Sequence, residues 1–193
     1  MNRREALLAL GGVAVLTEPL LAAGRALRTR LDSGGGGALK VLDPHQNDTV
    51  VTIAEMIIPA TDTPGATAAK VNEFVDLALA EWFDDAEQKR FLGGLAELDA
   101  QSRTRFGKDF TGCTPDQQTG MLQLLDGELA SMREADRQGL HREPNNSQRF
   151  FGNMKRVTLL AYFTSEVGVT EELHNPIIPG RYDGCVLLEQ RGK

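Results

Sequence analysis

Val71, Phe74, Val75, Ala78, Leu79 and Trp82 recur at i, i+3, i+4, i+7, i+8 and i+11, the spacing of one broad apolar helix face. This period returns along the chain and dictates its fold class. Asp43-Pro44 pairs an N-cap with proline at the first helical position, where the missing N–H costs nothing. The helix it starts runs to about Ile58 and stops at Pro59, before the turn-rich Ala60–Ala66. A further helix over about 85–105 turns Phe91, Leu92, Leu95 and Leu98 inward, with Asp84-Asp85 in place to cap it. Thr114-Pro115-Asp116-Gln117 is a capping-box pattern, and the helix after it buries Met121, Leu122, Leu125, Leu129 and Met132.

The polar tract 133–149 reads as a connection, and 147–167 as the most apolar helix. There Thr158 alone interrupts the run of Val157, Leu159, Leu160, Ala161, Tyr162 and Phe163. Such a helix is central to a bundle or covered by a partner, and the central position is the commoner. Pro176 and Pro179 forbid regular helix in the tail 174–185. No alternating strand pattern occurs. The expected fold is all-α: an irregular bundle of about five helices with long irregular loops and a proline-rich C-terminal tail, forming one domain over 41–193.

The N-terminus has a different character. Arg3-Arg4 precede a charge-free run from Ala6 to Leu16, followed by Thr17-Glu18-Pro19. That run is far short of the ~20 apolar residues a spanning helix needs, and its anatomy is that of a secretory signal. Two arginines, then Glu5, Ala6 and Leu7, resemble a twin-arginine export signal, which moves folded passengers to the periplasm. The alternative is a basic tail before an amphipathic helix, against which Gly11-Gly12 stand, each costing ~1 kcal/mol relative to alanine. Ala22-Ala23-Gly24 is an imperfect processing pattern, so retention of the peptide stays open. Residues 1–33 are taken as signal and following segment, 34–40 as a Gly-rich linker, and the whole stretch 24–40 as flexible tether.

Beyond residue 33 the chain carries 16 Lys+Arg against 24 Asp+Glu. An acidic body without a basic stripe argues against nucleic acid and anionic membrane surfaces. Cys113 and Cys185 can pair after export or stay as two buried thiols. His45, His141 and His174 lack the i, i+4 spacing of a helical metal site. Glu171 and His174 form one Glu-x-x-His, but a di-iron bundle needs two. There is no Cys-x-x-Cys, no Gly-x-Gly-x-x-Gly after a strand and no Gly-x-Ser-x-Gly. An export signal suited to a cofactor-carrying passenger thus precedes a body with no recognisable cofactor, metal or catalytic motif. A subunit that travels with a cofactor-bearing partner reconciles the two.

The run Thr52–Ala66, with Ile57-Ile58-Pro59 and Thr61-Asp62-Thr63-Pro64-Gly65-Ala66 at its heart, resembles the gluconate 2-dehydrogenase subunit 3 family. So do the helix of Val71 and Phe74-Val75, the end Ala161–Ser165 and the tail Ile178–Cys185. The resemblance covers roughly 40–186 and implies a small, non-catalytic subunit. It also implies a large FAD-dependent partner of the glucose–methanol–choline type that oxidises sugars, sugar acids or polyols. In some complexes a membrane-bound cytochrome c accepts the electrons. The small subunit would help the large one mature and supply the export signal. Two irregular segments, Pro59–Ala66 and Pro176–Cys185, carry prolines and apolar residues suited to a partner surface. The expected interface comprises Ile58, Pro59, Pro64, Gly65, Tyr162, Phe163, Ile178, Pro179, Arg181 and Tyr182; the alternative is that both segments close the chain's own core. Two further readings compete: a stand-alone periplasmic ligand-binding protein, and a metal enzyme built on Glu171 and His174.

Overall fold

The computed structural model describes residues 18–34, 39–139 and 143–174, and among them every regular element is helical. In chain order these are α1 (Glu18–Gly34), α2 (Pro44–Ile57), α3 (Val71–Glu81), α4 (Asp85–Phe106), a 3-10 turn (Phe110–Gly112), α5 (Pro115–Arg137), α6 (Asn146–Phe163) and a π-turn (Gly168–Glu172). The all-α expectation holds, with one α-helix more than about five among the described residues.

Four helices begin in reciprocal capping boxes: Asp43 with Gln46, Asp84 with Glu87, Thr114 with Gln117 and Asn145 with Gln148. In each, the cap side chain accepts from the third residue's N–H while that residue's side chain accepts from the cap N–H, satisfying donors that helix geometry leaves unpaired.

The expected inward faces are those buried. Val71, Phe74, Val75, Ala78 and Leu79 lie in the core, with Trp82 at its edge and edge-on to Phe74 at 5.9 Å. Helix α6 packs against each of the other five α-helices, so the helix that carries the apolar run Val157–Phe163 is central. Its Phe150 meets Phe91 of α4 edge-to-face at 5.0 Å. Gly94 permits that approach, since a Cβ there would collide with the Phe150 side chain. No described helix is long and apolar enough to cross a membrane.

Three boundaries differ from expectation. Helix α5 continues to Arg137, because the polar residues after Met132 include good helix formers, and Glu134 pairs with Arg137 and Gln138 on the solvated face. Helix α6 stops at Phe163 instead of running to 167. There the Thr164 hydroxyl donates to Leu160 O at 2.7 Å and the Ser165 hydroxyl to Tyr162 O at 2.6 Å, diverting the backbone. Most consequentially, 24–34 is helix and not tether. Leu20, Gly24, Leu27, Arg28 and Leu31 form an inward stripe, with Leu27 only 1% exposed. The end of the supposed linker is also fixed, since Asp76 accepts from the N–H groups of Lys40, Val41 and Leu42 at 2.6, 2.9 and 2.8 Å.

Candidate functional site

The most elaborately fixed surface feature is the loop between α2 and α3. It starts where Ile58, buried, ends α2, and Ala66 N–H donates back to Ile58 O at 2.9 Å to close it. Within it Thr61 N–H donates to Thr63 O at 3.0 Å. Glu55, on the last turn of α2, spans the closed end: one oxygen accepts from Ala60 N–H at 2.9 Å, the other from Thr67 N–H at 3.0 Å and the Thr67 hydroxyl at 2.7 Å. A side chain at position 65 would strike that carboxylate, so glycine is required for the clasp to close.

Two further elements reach the loop. The Tyr162 hydroxyl, near the end of α6, donates to Pro64 O at 2.7 Å, and Tyr162 is 1% exposed. The Thr63 hydroxyl donates to Glu172 of the π-turn at 2.6 Å. From α1, one guanidinium nitrogen of Arg28 donates to Ala69 O at 2.9 Å and Ala161 O at 2.8 Å while the group lies over the Phe74 ring at 5.5 Å. Burial pushes Arg28 below its ordinary pKa, with the carboxylates of Asp32 and Glu73 opposing that shift. The clasp therefore joins α1, α2, α6 and the π-turn.

The expectation that Ile58, Gly65 and Tyr162 face a partner is corrected. All three are buried inside the chain's own fold: Ile58 as the end of α2, Gly65 under Glu55, and Tyr162 because its hydroxyl anchors the loop. Pro59, Pro64 and Phe163 are half-buried, and Ala60, Thr61 and Asp62 are exposed on the same loop. Arg3, Arg4, Ile178, Pro179, Arg181, Tyr182 and Cys185 lie outside the described residues, and with them the disulfide question; Cys113 itself is buried.

Sequence reasoning passed over Glu55, Asp76, Asp99 and Arg28. A lone acid inside the apolar run Phe74–Leu79 was a usable signal for Asp76; Arg28, in an arginine-rich stretch, offered none. Asp99 is buried and joins two elements, accepting from Phe110 N–H at 2.9 Å and pairing with His45 Nε2 at 2.6 Å.

Elsewhere, an open groove along α5 is lined by Gln123, Leu124, Gly127, Glu128, Ser131 and Gln148, where Glu128 takes the Gln148 amide at 3.0 Å. Glu171 and His174 are both exposed, and the described residues contain no group of three His, Cys, Asp or Glu that could hold a metal ion.

The fold and the clasp define an all-helical scaffold that presents one rigid loop. A family model described as gluconate 2-dehydrogenase subunit 3 matches residues 44–180, from the first residue of α2 through the whole clasp, and the chain belongs to that family. No curated protein and no solved structure matches it. As a member, the chain is a subunit of a gluconate 2-dehydrogenase-like complex and works with partner subunits.

Proposed function

We propose that this chain is the non-catalytic small subunit of a periplasmic FAD-dependent dehydrogenase of the glucose–methanol–choline type, acting on sugars, sugar acids or polyols. It assists maturation of the large subunit and carries that subunit out of the cytoplasm by the twin-arginine route. FAD belongs to the partner, and a membrane-bound cytochrome c is a further candidate member of the complex.

The family match carries this reading. Two sequence features support the division of labour: Arg3-Arg4 before a short apolar run, and a body without nucleotide or catalytic motif. The docking surface is the exposed rim of the clasped loop, Ala60 to Asp62, together with the half-buried Phe163. A loop already ordered in the free subunit loses little entropy on association, so its contacts go into affinity.

Replacing Arg3 and Arg4 together by lysine tests the export half. The expected result is loss of both this chain and dehydrogenase activity from the periplasmic fraction, with folded chain left in the cytoplasm. Normal periplasmic accumulation of the variant would exclude the route.

A further inference from the structure

We propose that helix α1 is a permanent part of the folded subunit and that Gly24, the last residue of Ala22-Ala23-Gly24, is its buried packing contact, so the triplet is not a processing site. Any removal of the leader then falls before Glu18. This rests on the export reading above for its biological setting, but its structural grounds are separate.

Gly24 is buried, and a Cβ there would lie 2.7 Å from Leu160 Cδ1 and 3.2 Å from Thr164 Cγ2. The small residue is therefore explained by close contact between α1 and α6. Three residues on, Leu27 is fully inside the core. Arg28 then reaches two carbonyls, 41 and 133 positions away in the chain, on either side of the clasp. Arg30 adds an ion pair to Glu81.

A leader peptidase takes its substrate in extended form. A cut at this triplet would require α1 to unwind and to leave α6. A cut after Ala23 would also set a new ammonium group on the buried residue Gly24, where an unpaired charge is disfavoured. A twin-arginine passenger arrives already folded, so the peptidase would meet α1 in its docked form. The consequence is functional. The segment next to the signal is anchored to Ala69, beside the clasp, and to Ala161 of α6, so its docking is tied to the folded state of both.

Two measurements on the full chain test this. The intact mass of the periplasmic protein should include residues 18–34; a mature N-terminus at Gly24 or later would overturn the proposal. Separately, full-length protein purified from the cytoplasm is digested with limiting trypsin. Gly24→Leu, which forces α1 off α6, and Arg28→Met, which removes both carbonyl contacts, should each speed cleavage at Arg25 and Arg30 about tenfold over the parent, with helical circular dichroism nearly unchanged. Parent-like cleavage in both variants would show that α1 is not docked and would sink the proposal. The digestion is independent of export, so failure of the twin-arginine reading appears only in the Arg3/Arg4 fractionation.

Discussion

Asp76 and Tyr162 show how single buried polar side chains hold irregular backbone in this protein. Asp76, 4% exposed, accepts three successive N–H groups from Lys40, Val41 and Leu42, donors that no helix or strand could satisfy. An amide in its place keeps the shape but turns an NH2 group towards those donors. Asp76→Asn should cost about 3 kcal/mol of unfolding free energy, measured by urea denaturation; a change below about 0.5 kcal/mol would mean the contacts are dispensable. For Tyr162, phenylalanine retains the buried ring and removes the hydroxyl, and with it the bond to Pro64 O. The expected loss is about 1 kcal/mol, together with faster amide exchange at Ala60 and Thr67, the N–H groups under Glu55. Unchanged exchange there would uncouple the hydroxyl from the clasp.

Between elements, the His45–Asp99 contact joins α2 to α4 and, through Phe110 N–H, to the 3-10 turn. The hydrogen bond to Asp99 raises His45 above its ordinary 6.5; partial burial opposes it, and the carboxylates of Asp99, Asp109 and Asp43 assist. A folded value above the unfolded one means that the contribution is complete below about pH 6.5 and is lost as pH rises through the folded value. The melting-temperature advantage of the parent over His45→Gln should therefore be largest near pH 6 and shrink by about pH 9. An advantage that grows with pH would reverse the assignment.

The elements also show what a sequence reveals about itself. Caps and apolar periods are local, so α2, α3, α4 and the start of α5 were legible from Asp43, Asp84, Thr114 and the spacing of Val71 to Trp82. Helix α1 was not. Its stripe is interrupted by Gly24 and Arg28, whose value lies in contacts to Leu160, Ala69 and Ala161 that no local pattern encodes. The same holds for the site. The motif around Pro59–Ala66 stood out as unusual, but that Tyr162 and Glu55 face inward to hold it depends on where α6 and α2 end.

At the scale of the whole molecule, a central helix touching every other α-helix fixes the bundle, and the clasp fixes one loop upon it. Such a scaffold suits presentation of a surface to another chain. Arginines at both Ala60 and Thr61, which are exposed, should leave melting unchanged while lowering recovery of the partner about tenfold or more. Full recovery would move the docking surface elsewhere. The central claim, a non-catalytic subunit bound to a flavoprotein, is tested most directly by purifying the tagged chain from its native host and recording the absorption spectrum and composition of what accompanies it. The account predicts a large second subunit in equal amount, flavin bands that follow that subunit when the two are separated, and no sugar or polyol oxidation by the small chain alone. Recovery of the chain by itself, or flavin and turnover that stay with it after separation, would contradict the account.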